Sequence, residues 1–210
     1  NKALPFAQID MHLIESFKDF LLKAPRGGNK RGVISQNTAS TYFTLFKAAL
    51  HQAFIDNYFD VDIAAKVKGI SGVESRREYL TIEELNKLAA TPCDYPMLKK
   101  AALFSALTGL RHSDIRKMKW SELSKEGDRY RINFTQRKTG GVEYMPISEQ
   151  AYLICGEPGD PDRLVFEGLQ DPSYINRPVK VWVAAAGIKK KITFHCFRHS
   201  YATNQLTEGT

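Results

Sequence analysis

The sequence predicts a mainly α (α+β) protein of two domains, with one small antiparallel β-sheet. Apolar residues recur with helical spacing through most of the 210 residues. One stretch, from Tyr130 to Ile147, instead alternates with a period of two around Gly140-Gly141, as a β-hairpin does. Residues 71–78 combine glycine, serine and charges without an apolar period, which is typical of a linker. We therefore expect a helical domain over 1–70, a linker over 71–78, and a mostly helical domain containing the sheet over 79–210.

The composition indicates a globular protein with affinity for polyanions. Apolar residues make up 43% of the chain, enough for a core, and 30 Lys and Arg against 23 Asp and Glu give a net charge of +7. The three cysteines are widely spaced and form no disulfide or redox motif. No signal peptide and no apolar run of the roughly 20 residues that a membrane span needs is present. We expect a cytoplasmic protein with no membrane partner.

The first domain is predicted to contain two amphipathic helices. Asp10 caps the first helix, the second begins near Ser35, and a short helical piece follows at 63–67. The inward-facing residues are Leu13, Ile14, Phe17, Phe20 and Leu21 in the first helix, and Tyr42, Phe43, Phe46, Ala49, Leu50, Ala53 and Phe54 in the second.

Two groups of polar residues in this domain are candidate contacts to a sugar-phosphate backbone. The glycine-containing loop between the helices has the cations Arg26, Lys30 and Arg31. The outer face of the second helix has short polar side chains and one lysine: Asn37, Ser40, Thr41, Thr44 and Lys47. A solvent-exposed helix face usually contains more Glu and Lys, which favours a nucleic-acid contact. An ordinary solvated surface is the alternative in both cases.

The second domain is predicted to begin with a capped helix and to place an arginine at a tight turn. Thr81 and Glu84 form a capping box, and an almost entirely apolar helix over 97–107 ends at Gly109. Arg111 follows at once, before a helix running to about residue 120 with Ser113 as its cap. Such a junction would hold an arginine rigidly enough to bind a phosphate, with Asp114 orienting its guanidinium. A helix-turn-helix reader of DNA is the competing interpretation.

Two further basic segments follow. Lys138 lies near the hairpin turn, where it could reach a phosphate or serve only as a surface lysine. After a short helix near Glu149 and another from about Ser173, a last helix begins at Thr193, with Phe194, Phe197 and Tyr201 facing inward.

On another face of that last helix, His195 and Arg198 are three residues apart and could bind one anionic group together. No acidic residue occurs between Pro178 and Ser200. A basic amphipathic helix without a ligand is the simpler interpretation. A zinc site is disfavoured because Cys196 replaces the glutamate of the metalloprotease pattern.

Three of these segments, in this order, resemble the active-site boxes of the tyrosine recombinases, the phage integrase family. They are Thr108–Asp114, Lys138 ahead of Met145-Pro146-Ile147, and His195–His199. The resemblance covers the whole second domain, and the first domain resembles the family's core-binding (SAM-like) domain. The sequence is also similar in character to integrases of Bacteroidetes mobile elements.

The resemblance implies a site-specific recombinase that integrates or excises a mobile element through a 3′-phosphotyrosine intermediate. It implies that Arg111 and Arg198 bind the scissile phosphate, that Lys138 protonates the leaving 5′ oxygen and that His195 assists proton transfer. It further implies that Asp114 supports Arg111. The implied partner is double-stranded DNA, with a homotetramer of the full-length protein, and no metal or other cofactor is implied.

The sequence departs from the family pattern after Arg198. A Gly-His-like box and the nucleophilic tyrosine that should follow are not found, and the chain begins with Asn1 rather than Met. We therefore expect a fragment, truncated at both ends, that binds DNA without cleaving it and assembles poorly, which is compatible with a monomer. A non-catalytic DNA-binding regulator and a type IB topoisomerase remain alternatives.

Overall fold

The computed structural model describes residues 4–28, 32–74, 77–135 and 142–207. The chain forms two compact units, Asn1–Ser75 (unit 1) and Arg76–Thr210 (unit 2), and each has its own apolar core. Helices predominate, and the strands form one three-stranded antiparallel sheet in the described part of the chain. The predicted fold class is confirmed.

Unit 1 is a pair of capped helices. The elements are a 3-10 turn at Phe6–Gln8, α1 (Met11–Lys23) and α2 (Gln36–Ile55). As predicted, Asp10 caps α1: its side chain accepts a hydrogen bond from the Leu13 N–H (2.7 Å). Helix α2 starts where expected, and the Ser35 hydroxyl caps it by accepting from the Thr38 N–H (3.1 Å). The buried core consists of Ile14, Leu21, Ala39, Phe43, Leu50, Ala64 and Val67.

Some predicted core positions in unit 1 are wrong. Phe20 and Tyr42 are 58% and 52% exposed, and Ala49 is also exposed. Each helix packs mainly on the other, so each buries a narrower stripe than its apolar residues could cover. The predicted helix at 63–67 is a series of turns.

The polar face of α2 binds the chain segment that follows it. Gln36 Nε2 donates to the Ser71 carbonyl (2.8 Å), and Ser40 Oγ donates to the Ile70 carbonyl (2.7 Å). Asn37 both donates to the Val73 carbonyl (2.9 Å) and accepts from the Val73 N–H (2.7 Å). Short polar side chains suit this face because they satisfy backbone groups that have no secondary-structure partner.

Unit 2 is built around a buried helix. Its elements are α3 (Ile82–Ala90), α4 (Pro96–Thr108), α5 (His112–Ile115), a 3-10 turn (Trp120–Glu122), β1 (Leu123–Glu126), β2 (Arg129–Thr135), β3 (Val142–Ile147), α6 (Glu149–Cys155), α7 (Pro172–Ala185) and α8 (Phe194–Thr207). The almost entirely apolar α4 is buried on most of its surface and packs against α8 and α6. The predicted capping box of Thr81 and Glu84 and the predicted hairpin are both present.

Two local predictions in unit 2 are wrong. The helix after Arg111 has only four residues, and the 3-10 turn at Trp120–Glu122 leads into β1. Strand β1 was not predicted because its four residues are too few to show a period of two. Ser113 lies inside that helix, whose N-cap is Arg111.

Candidate active site

The turn between α4 and α5 is held by buried hydroxyl groups. Gly109 ends α4 with φ of 70°, a left-handed conformation that favours glycine. Ser105 Oγ donates to the Leu110 carbonyl (2.8 Å), and the Thr108 hydroxyl donates to the backbone carbonyl four residues earlier (2.7 Å). These bonds satisfy two buried polar side chains and fix the backbone from which Arg111 projects.

Helix α8 packs directly against this turn. Phe194 and Phe197 are buried, as predicted. The ring of Tyr201 lies on Gly109 so closely that a Cβ on Gly109 would be 2.6 Å from its Cδ1 atom. Arg198 Nη1 donates to the carbonyl of Gly109. The α4–α5 turn and the guanidinium of Arg198 are therefore held in one position by direct contact.

A cleft of about 260 Å³ lies between α8, the α4–α5 turn and α7. It is lined by Ser105, Leu110, Arg111, His112, Pro172, Ile175, Asn176, Thr193, Phe194, His195 and Arg198. Arg111 and His195 are exposed and Arg198 is partly buried. Within the described ranges, none of these three side chains forms an ion pair with a carboxylate. Two guanidinium groups that have no acidic partner among the described residues, and one imidazole, therefore line a single cleft that could bind an anion.

Two lining residues were not anticipated from the sequence. His112 lies against Phe194, with ring centroids 4.9 Å apart, and both of its ring nitrogens are buried without a hydrogen-bond partner among the described residues. Burial lowers the pKa of His112, because the charged imidazolium loses its hydration there. Asn176 accepts a hydrogen bond from the Phe194 N–H (3.0 Å), which satisfies the first turn of α8. The sequence does not indicate this role of Asn176, because Asn176 lies 18 residues before Phe194.

Two predicted site residues are not placed in the cleft. Lys138 lies outside the described residues. The carboxylate of Asp114 accepts a hydrogen bond from Ser113 Oγ (3.2 Å), and no ion pair joins it to Arg111 in the part of the chain that the structure describes.

The predicted DNA contacts of unit 1 have varied surroundings. Arg26 Nε donates to the Val33 carbonyl (2.9 Å), and Thr41 Oγ1 donates to the backbone of its own helix. The ammonium group of Lys47 is bound to the Val67 carbonyl, whereas Thr44 is exposed. Lys30 and Arg31 lie outside the described residues.

The described residues contain no group of three or more His, Cys, Asp or Glu side chains that could hold a metal ion. Nor does any helix among them have the length and apolar character that crossing a bilayer requires.

Comparison with family models identifies the class of protein. Residues 78–210 match the model of the phage integrase family, and residues 1–68 match that of the phage integrase SAM-like domain. The chain belongs to the phage integrase family. The segments that resemble tyrosine-recombinase active-site boxes all lie within the first match. A search of curated proteins found no match to this integrase-family chain.

Solved structures share the fold of this integrase-family chain. A lambda integrase dimer bound to a COC′ core site superposes with a TM-score of 0.63 at 18% identity, covering 96% of this chain and 58% of that one. A lambda integrase tetramer bound to a Holliday junction gives 0.67 at 19%, covering 100% and 61%. XerH site-specific recombinase bound to difH substrate gives 0.69 at 15%, covering 97% and 61%. The chain thus spans less than two thirds of each of these proteins.

Proposed function

We propose that this chain is the DNA-binding and phosphate-binding part of a site-specific recombinase. The observation that supports it best is the cleft in which Arg111, His195 and Arg198 meet without a carboxylate partner among the described residues. Their partner in the proposal is one phosphodiester of double-stranded DNA. The lambda integrase and XerH structures contain DNA, which agrees with this assignment.

The proposed reaction is transfer of a DNA phosphoryl group to a tyrosine. The tyrosine hydroxyl gives up its proton, with His195 assisting the transfer, as its oxygen bonds to phosphorus. The bond from phosphorus to the 5′ oxygen then breaks, and Lys138 gives that oxygen a proton. Arg111 and Arg198 hold the non-bridging oxygens, whose negative charge is greatest in the pentacoordinate transition state. Asp114 supports Arg111. The scheme requires no metal or other cofactor.

We propose that residues 1–70 form the core-binding domain and that 71–78 link it to the catalytic domain over 79–210. The proposed backbone contacts of the first domain are Arg26, Lys30, Arg31, Thr41, Thr44 and Lys47. The full-length protein would act in the bacterial cytoplasm as a homotetramer on DNA, moving a mobile element of the Bacteroidetes type.

These 210 residues are proposed to bind DNA without cleaving it. Tyr201 is the one tyrosine after Arg198 in the sequence, and its ring packs on Gly109. That contact makes Tyr201 a packing residue in the proposal rather than the nucleophile.

The test is cleavage of a target duplex by the full-length recombinase, measured as covalent protein–DNA complex. Arg111→Ala or Arg198→Ala should raise the activation free energy of cleavage by about 3 kcal/mol and slow cleavage roughly a hundredfold. Much of the DNA binding should remain. Arg163→Ala is the control, because Arg163 pairs with Glu167 on the surface. Near-normal cleavage by either cleft variant would refute the assignment. Relaxation of a plasmid that lacks the target site would instead favour a topoisomerase.

A further inference from the structure

We propose that Arg77 and His199 form a second phosphate-binding position, one turn of α8 beyond the cleft. The inference rests on the proposed DNA binding and adds a ligand contact to it. Its ligand would be a phosphodiester near the scissile one on the same DNA. Neither residue lines the cleft itself.

The two side chains are joined by a hydrogen bond across 122 residues of sequence. Arg77 Nη1 lies 3.3 Å from His199 Nε2. A guanidinium can only donate, so Nε2 accepts and the imidazole of His199 is neutral, with its proton on Nδ1. Burial lowers the pKa of His199, and the neighbouring charges of His195, Arg77 and Arg198 lower it further. The guanidinium of Arg77 is cationic, and its hydrogen bond to the neutral ring of His199 orients it.

The charge of Arg77 is not balanced by a carboxylate. Elsewhere on unit 2, Arg116, Arg131 and Arg163 each form an ion pair with an acidic side chain, whereas Arg129 and Arg177 form none within the described ranges. Arg77 differs from those two by its hydrogen bond to His199. Arg77 is exposed and forms no such pair within the described ranges. An exposed arginine that is held in place without an acidic partner is typical of a site for phosphate oxygens.

The position relative to the cleft favours a polymer over a free anion. The His195 and His199 rings are in contact, with centroids 4.5 Å apart. Four helical residues advance by about 6 Å, so an anion at Arg77 would lie beside an anion bound at His195. A nucleic-acid strand supplies two such anions at once. We therefore assign the second position to DNA rather than to free phosphate.

The experiment measures binding of the 210-residue chain to a fluorescein-labelled 30-base-pair duplex by anisotropy, over a series of KCl concentrations. Arg77→Gln should lessen the slope of log K against log[salt] by about 0.9, the value for one lost phosphate contact. The control Arg163→Gln removes the same charge from an arginine already paired with Glu167, and its slope should be that of the wild type. Arg77→Lys should keep the slope, because it keeps the charge.

A separate pair of variants tests whether the hydrogen bond from Arg77 to His199 matters for DNA binding. His199→Phe, which removes the acceptor, should weaken binding more than His199→Gln, which keeps one. Tryptophan fluorescence shows whether each variant is folded.

The outcomes separate this inference from the proposed function. If the wild type binds and Arg111→Gln weakens binding, but Arg77→Gln leaves the slope unchanged, the second position is wrong and the cleft assignment stands. Equal slope losses for Arg77→Gln and Arg163→Gln would mean that only net charge matters, which also overturns it. If the wild type shows no salt-dependent duplex binding, the proposed function itself is wrong.

Discussion

The contact between Gly109 and Tyr201 predicts a large and separable effect of Gly109→Ala on stability. An alanine at φ of 70° costs about 1–2 kcal/mol, because its Cβ approaches the backbone. The same Cβ would lie 2.6 Å from Tyr201 Cδ1, and such overpacking typically costs about 1–3 kcal/mol more. We therefore expect the free energy of unfolding of unit 2 to fall by roughly 2–5 kcal/mol.

Two comparisons separate these contributions. Gly127 also has a positive φ, of 59°, but a Cβ there would meet nothing within 4 Å, so Gly127→Ala should cost only about 1–2 kcal/mol. In a Tyr201→Ala background the steric overlap is gone, and Gly109→Ala should again cost only about 1–2 kcal/mol.

The assay is urea denaturation followed by tryptophan fluorescence. Both tryptophans, Trp120 and Trp182, belong to unit 2, so the signal reports on this unit alone. If Gly109→Ala costs the same with and without the Tyr201 ring, the ring does not press on the turn. Helix α8 would then not hold the α4–α5 turn through the Tyr201 ring.

Three further results are expected. Asn37→Ala removes two hydrogen bonds to Val73, about 1–3 kcal/mol of local stability, and should speed amide exchange at Val73 in hydrogen-exchange mass spectrometry; unchanged exchange would contradict it. The pKa values of His112 and His199 lie below the ordinary 6.5 in the folded chain, so the unfolded chain binds more protons and the urea midpoint of unit 2 should fall as the pH drops through about 6.5. His112→Phe should reduce that fall, and an equal fall in the variant would refute the role of His112. Burial raises the pKa of the Cys155 thiol to about 12, so iodoacetamide at pH 8 should modify it only after urea is added, as mass spectrometry of the labelled peptide would show.

Local sequence patterns predicted the elements well where the signal lies within a few residues. The cap Asp10, the capping box at Thr81 and the glycine end of α4 are all as predicted, because each depends on one side chain and the nearest backbone. The outward-facing Phe20 was predicted wrongly, since the width of the buried stripe depends on how many neighbours a helix has.

The polar face of α2 shows the limit of arguments from composition. Its short polar residues favoured a nucleic-acid contact, yet Asn37 and Ser40 bind the backbone of Val73 and Ile70. Both partners need the same donors and acceptors, so residue type alone does not distinguish them. Lys47 is a second example: it was a candidate phosphate contact, and its ammonium group is bound to the Val67 carbonyl.

The sequence by itself determined the long helices, the Asp10 cap and the Thr81 capping box, the hairpin, the basic character and the family, because these depend on residue types at short and fixed spacings. Only the tertiary structure decided which side chains meet. Arg198 reaches Gly109 across 89 residues, and Arg77 reaches His199 across 122. Such contacts depend on how buried helices pack against one another, and helical spacing specifies which face of a helix is buried but not which neighbour lies on it.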